Sequence, residues 1–368
     1  MNRRRFLQLS AAAGWAGTAG LPLAAASGPR EKRSTRRGAT RIAAYYLAAH
    51  LYTCVPRHIR EDMEWMADKG TDYVCIGILE QDLFAAHENH ALIIAEAARA
   101  GMRVMAVPSR WAGLTAGAPK VPSLFSVLNP QTWVVNDQGS TRLAARTSGV
   151  ISSVHAPETF EFFSTTLAEL YRQHPALAGF ILDEPKGFVM DRSPAARAAL
   201  GAHAPRAAHL AAAGEFYSRV CGFAKARWPE KFTVLFQQAH VAEDEMAASA
   251  AVRHLDYFGV DGRPWGEEDD RQLVTGDPAQ ESGKGKVLLS GRAETFLRAA
   301  RQEPGRKSFI LAENHNLTTA MIEPLERNYS AVLALQPDLF TYYYYPRNVA
   351  DPDRVMAAIG RNLLAFTR

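Results

Sequence analysis

Five carboxylates stand where short apolar runs end. Glu80 closes GILE, Asp183 and Glu184 close GFILDEP, Asp261 lies in GVDG and Glu313 follows FILA. Runs of this length read as buried strands, and a carboxylate at the mouth of a buried strand is partly desolvated. Desolvation and a neighbouring negative charge both oppose ionisation. One member of the Asp183–Glu184 pair is therefore expected to keep its proton near neutral pH and to act as a general acid. Four strands bringing acids to one rim, with no compensating lysines, make an acidic mouth. Such a mouth suits stabilisation of a cationic transition state and binding of hydroxyl groups, or else a divalent metal. The plainer alternative for each acid is a helix cap or a structural ion pair.

Aromatic and amide side chains fall near the same run ends. Trp111, Trp133 and Trp265 could stack on the apolar faces of a ring-shaped ligand, although packing is the commoner duty of a tryptophan. Gln237, Gln238 and His240 end FQQAH, and Asn314, His315 and Asn316 follow Glu313; hydroxyl-rich ligands need such donors and acceptors. In TYYYYPRN the side chains of a strand must alternate, so at most two of Tyr342 to Tyr345 face one side, and Tyr345 is the best placed near the rim. Tyr45, Tyr46 and His155 are further candidates. His240 and His315 could ligate a metal with Asp261 or Glu313, but no HxH or HxxxH pair stands at a strand end, so no metal or other cofactor is assigned.

Eight elements must position these groups. Apolar, β-branched or aromatic runs recur around residues 42–50, 72–80, 103–111, 177–185, 232–240, 255–262, 308–316 and 339–348, each followed by a turn and a segment of helical period. Eight strands alternating with eight helices is the count of an α/β (β/α)8 TIM barrel, expected as a single domain over 41–368. A doubly wound sheet would want a glycine-rich first turn, and YYLAAHLYTCVP has no GxGxxG. Residues 112–156, 186–213 and 262–290 make long loops after strands three, four and six. All follow strand carboxyl ends, the face on which such barrels carry their sites. GDPAQESGKGK at 276–286 reads as a mobile loop.

The amino end reads differently. MNRRRFLQLS followed by an apolar run to Ala26 resembles a twin-arginine export signal over 1–27, with small residues suited to cleavage and a basic leader over 28–40. The run is short and interrupted by Gly14, Gly17, Gly20 and Pro22, so no stable membrane anchor is expected after cleavage. The expected location is periplasmic or secreted, and the expected partner in transit is the twin-arginine machinery. Loss of 1–27 removes three arginines and no acids, taking the formal charge from +4 to +1. A nearly neutral chain without a basic stripe offers no footprint for nucleic acid. Cys54, Cys75 and Cys221 are too few and too scattered for a metal site or a disulfide framework.

Carboxylates ending strands four and seven resemble those of retaining glycosidases of clan A. The resemblance implies glycoside hydrolysis with Glu184 as acid/base and Glu313 as nucleophile. It also implies an oligo- or polysaccharide substrate bound by Glu80, Trp111, Gln238, His240, Asp261, Trp265, Asn314 and Tyr345. The motif is DEP where the clan usually has NEP. An Asp–Glu pair instead resembles enzymes of N-acetylhexosaminidase type, in which Asp183 would orient a substrate acetamido group that attacks the anomeric carbon and Glu184 would be the acid. The stretch from Ser152 through LAGFILDEP is also similar to glycosidase-like barrel proteins. A metal-dependent isomerase or lyase, and a carbohydrate-binding barrel without catalysis, are the readings from other classes.

Overall fold

The structure, a computed structural model, describes residues 40–47, 54–145, 148–273 and 285–367. The expected signal segment, the leader up to residue 39 and most of the expected mobile loop lie outside the described residues. Eight parallel strands run β1 (Arg41–Tyr46), β2 (Tyr73–Ile78), β3 (Arg103–Pro108), β4 (Gly179–Asp183), β5 (Phe232–Gln238), β6 (Tyr257–Gly262), β7 (Lys307–Ala312) and β8 (Leu339–Tyr344). They close in sequence order, with β8 paired to β1 from Arg41↔Leu339 to Tyr46↔Tyr344. This is the (β/α)8 barrel that the strand count predicts.

Each strand is followed by a helix that shields its outer face: α1 (Pro56–Asp68), α2 (His87–Arg99), α3 (Pro157–Gln173), α4 (Arg206–Arg227), α5 (Glu243–Ala250), α6 (Arg292–Arg301), α7 (Thr319–Leu333) and α8 (Pro352–Thr367). Proline opens α1, α3 and α8, where its missing N–H leaves no helical bond unmade. Gly70 and Gly101, with φ of 87° and 80°, follow α1 and α2 closely and turn the chain back toward the next strand. The strands are buried on both faces, which is why they read as continuous apolar runs. Among the described residues no helix is long and apolar enough to cross a membrane.

Strand pleating sorts the core into two sets. Ile42, Ala44, Ile76, Leu182, Val260 and Ile310 face the helices, whereas Ala43, Cys75, Ile181, Phe236, Phe309 and Leu311 fill the barrel. Continuing the inner set toward the carboxyl ends reaches Tyr45, Asp183, Gln238, Asp261, Glu313 and Tyr343. The loop after β3 holds a short helix (Leu124–Leu128) and a hairpin (Leu143–Ala145 with Gly149–Val150), and the loop after β6 holds another short helix (Glu267–Leu273). The excursion after β4 is shorter than expected. After the helix Pro194–Leu200, α4 already begins at Arg206, because the alanine-rich stretch continues the barrel helix itself.

Gly259 lets β6 and β7 approach: a Cβ there would lie 1.9 Å from the Phe309 carbonyl oxygen. Gly259→Ala is expected to destabilise the barrel by about 3 kcal/mol or more. The check is a lowered urea midpoint at unchanged slope; a wild-type midpoint would contradict the close approach.

Candidate active site at the carboxyl end of the barrel

Strand parity delivers Asp183, Asp261 and Glu313 to the barrel mouth, but it would turn Glu184 outward. Instead β4 ends at Asp183, and Glu184 takes a left-handed backbone with φ of 38°, which brings its carboxylate back over the opening. One oxygen each from Glu184, Asp261 and Glu313 lies within 4.8 Å of the others. In their midst stands the Lys286 ammonium, 2.8 Å from Glu184 Oε1, 2.8 Å from Asp261 Oδ2 and 2.6 Å from Glu313 Oε1. Lys186 Nζ holds the other Glu184 oxygen at 2.8 Å. The mouth is therefore not an uncompensated acidic one: two lysines lie inside it.

Lys286 arrives from the loop after β6 and is held by its backbone. Its carbonyl accepts from the Arg263 N–H at 2.8 Å, and Asp270 Oδ2 accepts from the neighbouring Gly285 N–H at 2.8 Å. Asp270 also binds the Arg263 guanidinium and the Trp265 indole N–H. An isolated charge at such depth would be strongly disfavoured. The ammonium is 2% exposed and is stable there because carboxylates surround it.

The same cluster sets the protonation pattern. Burial and the charge of Glu184 push Asp183 up to about 7, against the opposing fields of Lys186, Arg110 and Lys286. Burial would raise Glu184 too, but Lys186, Lys286 and a hydrogen bond with Asp261 outweigh it and hold Glu184 well below the usual carboxylate range. Glu313 is likewise lowered, Lys286 and His315 overcoming burial. Asp261 moves the other way: burial and the charges of Glu184 and Glu313 raise it despite Lys286. Burial and the nearby cations bring His315 down to about 4, so its ring is neutral at pH 7. Asp183 and Asp261 are thus shifted toward holding a proton, and Glu184 and Glu313 toward the anion. The neutral-pH acid expected in the DEP pair falls on Asp183.

A cavity of about 270 Å³ opens over Asp183, Glu184 and Glu313 and is walled by Tyr45, Tyr343 and His315. The Tyr45 hydroxyl donates to Asp183 Oδ2 at 3.3 Å, and its ring lies 5.2 Å from that of Tyr343. A second cavity of about 390 Å³ adjoins it, sharing Lys186 and Gln238, between the loop hairpin at Arg142 and the segment Phe188–Met190.

Several predicted ligand contacts lie elsewhere. Glu80 has the outward parity of Ile76 and Ile78; it is buried and accepts from the Ser123 hydroxyl and from the N–H groups of Ala112 and Phe125, tying down the loop after β3. Trp111 is fully buried with its indole N–H on the Ile78 carbonyl, and Trp265 is equally buried with its indole N–H on Asp270. Asn314 also has outward parity: its amide clips β7 to β8 by bonding both the Tyr343 N–H and carbonyl at 2.8 Å. Tyr345, at φ 41°, swings away and donates to Asp353 on α8. His240 is exposed at the rim and lines neither cavity, but it lies beside Gly285, near enough for burial and the Lys286 charge to lower its pKa. Gln238 and Asp261 do belong to the cluster or its walls.

The residues that sequence reasoning passed over are Lys186, Lys286, Tyr343, Arg110 and Lys120. Lys186 stands two residues beyond Glu184, and Tyr343 follows from counting inward positions from Leu339. Lys286 carries no local signal, since it ends a polar, glycine-rich loop. Glu184, Asp261 and Glu313 have the donor chemistry to hold a divalent cation, but here Lys286 supplies the positive charge among them.

No protein-family model matches the chain, and no curated protein matches it in sequence. Solved structures share its fold. A β-galactosidase from the Antarctic haloarchaeon Halorubrum lacusprofundi superposes with a TM-score of 0.63 at 14% identity, over 89% of this chain and 58% of that one. The catalytic domain of a Paenibacillus polymyxa β-amylase gives 0.57 at 7% identity, over 91% of this chain and all of that one. A β-N-acetylhexosaminidase from Bacteroides fragilis gives 0.53 at 13%, over 89% and 65%. This chain thus spans little more than half of the β-galactosidase. What these structures share with this chain is the (β/α)8 fold.

Two outcomes are expected from the charge cluster. Lys286→Met leaves three buried carboxylates without their shared cation. It should cost about 3 kcal/mol or more at pH 8 and less at pH 5, because the stranded carboxylates take up protons as pH falls; an equal loss at both pH values in urea unfolding would contradict the role. Asp183 has a folded-state pKa near 7, above an unfolded value of about 3.9. The stability it contributes is full below about pH 4 and is lost as pH rises toward 7. Asp183→Asn should therefore raise the Tm relative to wild type at pH 8, with the gain shrinking at pH 4.5. A gain independent of pH would contradict this.

Proposed function

We propose that the protein is an exported glycosidase that cleaves O-glycosidic bonds of an oligo- or polysaccharide with retention at the anomeric carbon. The observation that carries the reading is the placement of Glu184 and Glu313 at the barrel mouth, with oxygens within 4.8 Å and a cavity above them. Retaining glycosidases hold their two carboxyls about 5–5.5 Å apart, whereas inverting ones leave about 6.5–9.5 Å for a water. The barrel's likeness to glycosidases supports the class, and the amino-terminal RRRFLQL supports export to the periplasm or beyond.

In this reading Glu313, an anion, attacks the anomeric carbon. Glu184 protonates the departing oxygen and then activates the water that releases the sugar. Lys286 stands between the two groups, so a sugar ring engages them as the ammonium withdraws. That withdrawal also removes one of the charges that keep Glu184 ionised, and so raises its pKa toward that of an acid. Asp183 and Asp261 bind hydroxyls and hold protons nearby. A second reading draws on Asp183 lying in the cavity beside Glu184: assistance by a substrate acetamido group that Asp183 orients.

The test is hydrolysis of an aryl-glycoside and polysaccharide panel by the protein and by Glu184→Ala and Glu313→Ala, each with and without azide. Each substitution should lower kcat by about 10²- to 10⁴-fold. Azide should restore turnover with opposite anomeric products from the two variants. Retention of most activity by Glu313→Ala, with loss in Asp183→Ala, would transfer the mechanism to the acetamido-assisted form. Loss of activity with a chelator and recovery with a divalent ion would favour a metal-dependent isomerase or lyase. Saccharide binding without turnover of any member of the panel would leave a binding protein.

A further inference from the structure

The cavity above the acids is only part of the opening. The second cavity, of about 390 Å³, adjoins the one of about 270 Å³, and the two share Lys186 and Gln238 in their walls. Each is of the order of the roughly 300 Å³ at which ligand pockets begin. The second lies between the hairpin of the loop after β3, the segment Phe188–Met190 after β4 and the carboxyl end of β5. Its walls are fixed to one another. The Arg192 N–H donates to the Val135 carbonyl at 2.7 Å, Asp191 accepts from the Val135 N–H at 3.4 Å, and the Arg192 guanidinium binds Asp137 at 2.7 Å, so the loops after β3 and β4 are stitched together.

The lining combines apolar surface with amides. Leu143, Val189 and Met190 supply the apolar part, and Leu143 is 51% exposed. Gln138 and Gln238 supply groups that both donate and accept. The charged groups of the lining have neighbours of opposite sign. Arg206 holds Asp244 at 2.6 Å and lies 3.8 Å from Glu245, Asp137 binds Arg192, and Lys186 binds Glu184 at 2.8 Å. The Arg142 charge likewise acts on Glu245. Amides beside apolar patches, with the ions matched within the protein, suit a neutral ring rich in hydroxyls: the hydroxyls need donors and acceptors, and the C–H faces need apolar cover.

The position of the cavity decides which part of a substrate it takes. The chain that carries Glu184 runs on through Pro185 and Lys186 into its wall, whereas none of residues 312–316, around Glu313, lines it. When a glycosidic bond breaks by displacement, the acid stands beside the departing oxygen, so the unit joined through that oxygen extends on the acid's side. Resting on the glycosidase reading of the neighbouring cavity, we propose that the second cavity binds a neutral sugar unit on the leaving-group side of the scissile bond. The substrate then spans two rings, one over Glu184 and Glu313 and one between the hairpin and Phe188–Met190, and is not a glycoside of a small non-sugar alcohol.

The experiment uses 1,3- and 1,4-linked disaccharides and the glycosyl fluorides of glucose, galactose, mannose and N-acetylglucosamine, in either anomeric configuration. Fluoride departs without occupying a leaving-group site, so it reports on the first cavity alone. Values of kcat/KM are compared for the protein, for Val189→Trp, which fills the second cavity, and for Gln138→Ala combined with Leu143→Ala, which removes contacts from two exposed positions. Disaccharide hydrolysis relative to that of the fluoride should fall about tenfold in Val189→Trp and about threefold in the double variant, mainly through KM. An unchanged ratio in the double variant overturns this inference and keeps the glycosidase, as does turnover of fluorides without any disaccharide. If nothing is hydrolysed the glycosidase reading falls, and calorimetry decides the cavity. A disaccharide bound at least about tenfold more tightly than its monosaccharide, with that margin narrowed in both variants, keeps the second site; equal binding of the two overturns it.

Discussion

The attraction between one ammonium and three buried carboxylates governs the mouth of this barrel. Closing eight strands forces inward-facing residues of β4, β6 and β7 to converge, and the sequence places Asp183, Asp261 and Glu313 at those positions with Glu184 folded in beside them. Four acids in so small and dry a space repel one another and lose hydration. Lys286 makes the gathering tenable, with contacts of 2.6 to 2.8 Å to three of the acids. The loop after β6 owes its return path to the same need. Asp270 binds Arg263, Trp265 and the Gly285 amide, so a second buried ion pair holds the backbone that presents the ammonium.

The architecture was legible because parallel βα units write themselves locally. Each strand is an apolar run shielded on both faces, and most of the barrel helices open or close near a proline or glycine. The acids were legible for the same reason: GFILDEP and FILAENHN mark strand ends without reference to anything distant. Parity separates the candidates that reach the mouth from those that do not. Asp183, Asp261 and Glu313 share the phase of the barrel interior, whereas Glu80 and Asn314 have the opposite phase and became a loop anchor and a strand clip. Tyr345 has the right phase but lies beyond its strand, so Tyr343 takes the place at the cavity. Trp111 and Trp265 show that an aromatic near a strand end is still apolar surface first, and both are fully buried.

What strand phase cannot convey is the chemistry that loops import. Glu184 reaches the mouth only through its left-handed backbone. Lys286 comes from a polar segment with no periodicity, and its partners are 25 to 102 residues distant in sequence. Reading the rim as acidic and uncompensated followed from inspecting strand ends alone. The compensation exists, and it is supplied from the turns.

Import of the lysine changes what the acids can do. Its charge favours the anionic form of all four, but burial and neighbouring carboxylates still leave Asp183 and Asp261 raised, while Glu184 and Glu313 are lowered. A general acid must carry a proton, and a nucleophile must not. Under the proposed mechanism Glu313 already meets the nucleophile's requirement, whereas Glu184 is held ionised by Lys186 and Lys286. A ring entering over Glu313 competes with Lys286 for the same carboxylate oxygens. In the proposed mechanism substrate entry and protonation of Glu184 are therefore linked, because the ammonium that must move is one of the two that hold Glu184 ionised.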